Sequence, residues 1–157
     1  MDIQLVRIDQ RKAEGRRTAG KKNPAHELLA EYTQRISRFC RLEQEAFPTE
    51  AALFTACERA SGRTAPFLVL LDGRGKPFSS EALAEWISKR QDAGTQRIIF
   101  AIGPADGWSP EACARAGLLL SLGPMTLAHE LAAVVLAEQV YRAFTILKGL
   151  PYHLGHK

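Results

Sequence analysis

Hydrophobic residues change their spacing from one stretch of this chain to the next, and each spacing predicts an element. Ile3 to Ile8 reads as a first strand, and a polar, glycine-containing stretch from Gln10 to Lys22 follows as a long loop. Leu28, Leu29, Tyr32, Ile36 and Phe39 then recur at helical intervals, which predicts an amphipathic helix from Asn23 or Pro24 to Phe39. A weaker strand covers Leu42 to Phe47. Thr49 caps a helix through Ala60, with Leu53, Phe54 and Cys57 on its apolar face and Ser61-Gly62 ending it.

The second half is more regular. Phe67-Leu68-Val69-Leu70-Leu71 is continuously apolar, as expected of a strand covered on both faces of a parallel sheet, and Asp72 to Pro77 has turn composition. Ser79 or Ser80 caps a helix to about Gln91, with Glu81 in its first turn and Leu83, Trp86 and Ile87 inward. Arg97 to Ile102 is the next strand. Ser109 as cap, Pro110 as first helical residue and Glu111 behind it make the strongest helix start in the chain. Leu118 to Leu122 is a third central strand, broken by Gly123-Pro124. A last helix runs from Thr126 or Ala128 to Lys148, with Ala132, Val135, Leu136, Val140, Ala143, Phe144 and Leu147 as its stripe; Gly149 and Pro151 stop it.

Three strand–helix units in succession predict an α/β protein with a mainly parallel sheet and helices on both faces. At 157 residues the chain is expected to be one domain, residues 1–157, without need of disulfides or structural metal. Cys40, Cys57 and Cys113 are scattered and read as buried thiols. No apolar run spans a bilayer and no signal segment opens the chain, so a cytoplasmic protein is expected. The net charge of +4 is mild, but Arg7, Arg11, Lys12, Arg16, Arg17, Lys21 and Lys22, then Arg35, Arg38 and Arg41, crowd into its first quarter. Such a run suits either solvent or nucleic-acid phosphates.

Ligands of open α/β sheets bind outside the carboxyl ends of the strands. Three such ends carry glycine-rich turns here: Leu71 to Lys76, Gly103 to Gly107, and Leu122 to Leu127. None has the GK[ST] ending of a phosphate loop, and Gly103-Pro104-Ala105-Asp106-Gly107 is not GxGxxG, so triphosphates and dinucleotides are disfavoured. His129 reads as a capping or packing residue, Glu138 and Arg142 as an i,i+4 surface pair, and Tyr152 and His153 as residues close behind a well-stopped helix. There is no paired-carboxylate, nucleophile–base or metal signature, which leaves hydrolytic chemistry without support.

The segments "LDGRGKPFSSEALAEWI", "FAIGPADGWSPE", "SLGPMTLAHELAAVVLAEQVYRA" and "PYH", with a weaker "AEYTQRISRFCRLE", resemble the large-subunit ribosomal RNA methyltransferase H family of the SPOUT superfamily over essentially the whole chain. The resemblance implies an α/β fold with a C-terminal trefoil knot, acting as a homodimer and binding S-adenosyl-L-methionine. It implies methyl transfer to N3 of a pseudouridine in large-subunit (23S) ribosomal RNA, on the assembled ribosome. Carried over by position, Leu71, Gly103, Leu122, Gly123, Pro124, Met125, Thr126 and Leu127 form the cofactor pocket. Apolar side chains would face adenine there, and backbone groups of the tight turns would read its edge. His153, with Tyr152 beside it, is the catalytic candidate, ordering the target base or relaying its imide proton.

The chain departs from that family in three places. The usual GGPEG is Gly103-Pro104-Ala105-Asp106-Gly107, the usual TLPHPLVRV is Thr126 to Val134 with Ala128 for a proline and Ala133 for an arginine, and the basic residue after YH is Leu154. Two readings follow: an active pseudouridine methyltransferase, or a non-catalytic or re-targeted SPOUT-type dimer that binds RNA or ribosomes. A generic nucleotide-binding α/β domain is a third.

Overall fold

The computed structural model describes residues 1–10, 23–59 and 64–154. The elements are β1 (Asp2–Ile8), α1 (Pro24–Ile36), β2 (Leu42–Phe47), α2 (Glu50–Arg59), β3 (Phe67–Pro77), α3 (Ser80–Asp92), β4 (Arg97–Ile102), α4 (Pro110–Arg115), β5 (Leu118–Ser121) and α5 (His129–Leu147). The loop expected over Gln10 to Lys22 lies outside the described residues from Arg11 on, with Lys12, Arg16, Arg17, Lys21 and Lys22, as do the helix end at Ala60 to Gly62 and His156.

All pairings in the five-stranded sheet are parallel, in the order β2-β1-β4-β3-β5. Alternate residues face two cores. Ile3, Leu5, Val69, Ile98, Phe100 and Ile102 meet Leu29 and Ile36 of α1, Leu83 and Ile87 of α3, and Leu136, Val140 and Phe144 of α5. Val6, Ile8, Leu68, Leu70, Ile99 and Ala101 meet Leu53 and Phe54 of α2, Trp108, and Ala112 of α4. A sheet buried on both faces needs apolar residues at consecutive positions, which is why β3 and β4 read as unbroken runs.

The helix starts follow their caps. Asn23 accepts from the Ala25 amide with Pro24 in the first turn, Ser79 accepts from Ala82, and Ser109 from Ala112 with Pro110 behind it. Ser80, the alternative cap, instead donates its hydroxyl to Gln139 Oε1 at 2.7 Å and ties α3 to α5. No side chain caps α5, which begins one residue after Ala128, so Thr126 is not a cap.

Four expectations are corrected. Asp72 to Pro77 is not a turn: β3 runs on to Pro77, with Leu71 and Lys76 both opposite Leu120 across an irregularity and Pro77 opposite Ser121. Leu122 falls outside β5. Val135 and Leu147 are each 36% exposed while Ala133, Val134 and Ala137 are buried, because α5 is gripped by α1 and α3 as well as the sheet and its buried arc is turned toward them. The three thiols are only half-buried; burial still pushes Cys40 up to about 11 and raises Cys57.

Candidate functional site

Neighbouring parallel strands bring the three glycine-rich segments together. Leu71, inside β3 where its pairing with β5 becomes irregular, lies opposite Ile102 of β4 on one side and Leu120 of β5 on the other, so it stands beside the strand ends from which Gly103 and Leu122 leave. A side chain not singled out in the sequence joins two of them. Trp108, 5% exposed, donates from Nε1 to the Leu71 carbonyl at 3.0 Å and packs its ring where a Cβ on Gly103 would stand, 2.8 Å from Cε2 and Nε1. The Pro104-Ala105-Asp106-Gly107 turn closes by the Gly107 amide donating to the Pro104 carbonyl at 2.9 Å, with Gly107 at φ +86°. Glu50 at the start of α2 holds the loop's far end, accepting from the Ser109 amide at 2.8 Å and the Ser109 hydroxyl at 2.7 Å.

The third turn is the most open. Ser121 Oγ accepts from the Gly123 amide at 3.1 Å, and Gly123 turns the chain at φ +125°. Pro124, Met125, Thr126 and Leu127 are exposed, Met125 to 82%. An unshielded methionine and leucine in the turn that follows half-buried Leu122, with no charged side chain among the eight pocket candidates, fit the adenine ring of a ligand such as S-adenosylmethionine. His129 opens α5 with its Nε2 buried and without a hydrogen-bond partner among the described residues.

Tyr152 and His153 stand in a separate, tightly bonded cluster. Glu138 and Arg142 are not the surface pair that their spacing suggests: their side chains are 18% and 14% exposed. Glu138 Oε1 accepts from Arg142 Nη2 at 2.6 Å and Nε at 3.0 Å and from the Tyr152 hydroxyl at 3.0 Å. The Arg142 guanidinium lies 4.8 Å from the Tyr152 ring centroid, and Tyr141 meets that ring edge-on at 4.8 Å. Burial, then hydrogen bonds with Tyr32 and Glu138, raises Tyr152 well above an ordinary phenol. His153 Nδ1 sits 3.2 Å from Arg142 Nη1, and its Nε2 sits 2.8 Å from Glu81 Oε1. Glu81 is held below the usual carboxylate range by a backbone hydrogen bond of its own and by His153.

Other sequence candidates fall elsewhere. Ala133, where the resembled family has arginine, is 4% exposed and lines a cavity of about 110 Å³ with Leu5, Arg7, Leu29, Gln44 and Leu136. Of the basic residues, Arg35 pairs with Glu31 and Arg41 Nη2 with Glu43 Oε1 at 2.7 Å. Among the described residues no cluster of His, Cys, Asp or Glu could hold a metal, and no helix is long and apolar enough to cross a membrane.

The sequence matches the family model described as "Predicted SPOUT methyltransferase" over residues 17–153. The chain belongs to this SPOUT methyltransferase family. It is 50% identical over 136 residues to the ribosomal RNA large subunit methyltransferase H of Koribacter versatilis (strain Ellin345), covering 87% of this chain and 92% of the relative. The protein of the same name from Pelobacter propionicus (strain DSM 2379 / NBRC 103807 / OttBd1) is 42% identical over 135 residues, 81% and 88% of the two chains. A solved structure, the SpoU methyltransferase AviRb from Streptomyces viridochromogenes in complex with the cofactor AdoMet, aligns at a TM-score of 0.48 and 12% identity over 89% of this chain and 56% of that one. So distant a likeness carries no argument; SPOUT membership rests on the sequence match and accords with the parallel sheet and its helices.

Proposed function

We propose that this SPOUT methyltransferase transfers a methyl group from S-adenosyl-L-methionine to N3 of a pseudouridine in large-subunit ribosomal RNA, acting on the assembled ribosome as a homodimer. The observation that carries the reading is the convergence of Leu71, inside β3, with Gly103 and Leu122 at the ends of β4 and β5, in a chain half identical to a named large subunit methyltransferase H. We read residues 1–157 as one domain, knotted in its C-terminal part.

When bound, the cofactor supplies a sulfonium methyl that is already electrophilic, so the protein's task is chiefly placement and handling of the imide proton. Leu71, Leu122, Met125 and Leu127 would flank the adenine, while Gly103, Gly123, Pro124 and Thr126 bring backbone close to it. Tyr152 and His153 would order the target base, and His153 would relay its proton. The homodimer is supported by Leu28 on α1 and Leu131 and Val135 on α5, apolar side chains left exposed on these two helices. The basic residues of the first quarter would contact ribosomal RNA phosphates, so binding weakens steeply as salt is raised.

The test is methyl transfer to ribosomes from a strain lacking its own methyltransferase H, read by mass spectrometry of the nucleosides, beside calorimetry with S-adenosylmethionine. Methylated pseudouridine is expected. His153→Ala abolishes transfer and leaves cofactor affinity near wild type; unchanged turnover would remove His153 from the mechanism. Cofactor binding with no transfer to any ribosomal substrate would overturn the proposed activity.

A further inference from the structure

A carboxylate in the first turn of a helix complements the helix dipole and ordinarily needs no other account. Glu81 of α3 has a second engagement, with a ring nitrogen 72 residues further along the chain. The chemistry at the two ends of that ring is unequal. A guanidinium has five N–H donors and no acceptor, so Arg142 Nη1, 3.2 Å from His153 Nδ1, is attracted there only to a lone pair. Glu138 already takes Nε and Nη2 of Arg142, which leaves Nη1 for the ring. A carboxylate accepts only, so the hydrogen of the neutral ring must be on Nε2, facing Glu81 Oε1 at 2.8 Å.

We propose that Glu81 is a positioning residue for the methyl transfer: it fixes His153 in the Nε2–H tautomer and in one ring orientation, with the Nδ1 lone pair toward Arg142. The inference rests on the reading of His153 as the residue that orders the target base. The anchorage of Glu81 is itself built. Ser79 caps α3, and Ser80 is bonded to Gln139 of α5 at 2.7 Å, so the first turn of α3 is fastened to the helix that carries Glu138 and Arg142. Without Glu81 the imidazole keeps Arg142 as one partner, its Nε2–H is unpaired, and the ring is free to turn about its Cβ–Cγ bond.

The experiment uses the full-length, nitrogen-15-labelled protein without substrate at about pH 8.5, above the ordinary histidine range. Long-range proton–nitrogen spectra of the imidazoles, assigned by a His153→Asn variant, report the tautomer directly. Wild type shows His153 as Nε2–H. Glu81→Ala moves the Nε2 resonance, whose hydrogen bond is lost, and lowers kcat about tenfold, the order expected when one hydrogen bond that orients a functional group is lost, with cofactor affinity unchanged. Glu81→Gln, which keeps an acceptor oxygen, restores both. An Nδ1–H ring in wild type, an unmoved Nε2 resonance in Glu81→Ala, or a Gln variant as impaired as Ala would overturn the proposal. Because the spectrum needs no RNA, failure of ribosomal methylation would refute the proposed activity while leaving the tautomer result to be judged alone.

Discussion

Replacing Gly103 by alanine tests whether Trp108 is the part that couples two of the three turns. The φ of Gly103 is not positive, so the substitution meets no backbone penalty, and its whole effect comes from contact. The new Cβ would stand 2.8 Å from Trp108 Cε2 and Nε1 and 3.1 Å from Cδ1, against about 3.5–4.0 Å for an ordinary carbon contact. The ring must retreat by the better part of an ångström, yet it is buried within the second core and bonded to the Leu71 carbonyl. Overpacking costs about 1–3 kcal/mol and the hydrogen bond about 1 kcal/mol, so a loss of about 2–4 kcal/mol is expected. In a chain of this size that lowers Tm by about 4–16 °C. Urea unfolding followed by tryptophan fluorescence measures it. Trp108→Leu supplies the control, since a shorter side chain vacates the contact. In that background Gly103→Ala should cost less than about 0.5 kcal/mol, the two changes being strongly non-additive. Additive losses, or a Gly103→Ala protein as stable as wild type, would refute the coupling.

Three more outcomes follow from contacts already described. Gly75→Ala places a Cβ 2.5 Å from the Leu119 carbonyl carbon and 2.8 Å from the Leu120 amide nitrogen, backbone atoms with nowhere to go. It should destabilise the protein by at least about 2 kcal/mol in a denaturant titration and speed amide exchange in β5. Glu50→Ala removes both acceptors of Ser109 and should cost about 1–3 kcal/mol, with Glu50→Gln recovering part of it, as calorimetry would show. Cys40, pushed by burial to about 11, should react with iodoacetamide at about pH 8 on the order of a hundredfold more slowly than in the unfolded chain. The folded state retains that proton where the unfolded state gives it up, so the contribution of Cys40 to stability is present below about pH 9 and is lost as pH rises toward 11.

The parts of the fold legible in the sequence are those whose cause is local. Ser109-Pro110 and Asn23-Pro24 start helices because the capping oxygen and the ring constraint act within one turn, and Phe67 to Leu71 announces a doubly covered strand by composition. The second half of β3 escapes because Asp72-Gly73-Arg74-Gly75-Lys76-Pro77 has the chemistry of a turn, and only pairing with β5 makes a strand of it. The same limit divides the site. The turns at Leu71, Gly103 and Leu122 are visible one by one, while their adjacency is set by sheet order. Glu138 and Arg142 have the spacing of a surface pair, and nothing local says that the Tyr152 ring will cover them. Glu81 looks like any dipole-complementing carboxylate until a ring far along the chain arrives beside it. Trp108 gave a weaker hint that was open to reading: a tryptophan directly after a glycine turn has a large apolar surface to bury.

The clasp of Tyr152 and His153 onto α5 and α3 also sets an order of assembly. Every strand, both faces of the sheet and all three turns are synthesised before these two residues exist, and their partners Glu81, Glu138 and Arg142 must already be in place to receive them. A chain arrested anywhere before residue 152 would carry the sheet but not the clasp, leaving the Glu138–Arg142 pair uncovered by the Tyr152 ring.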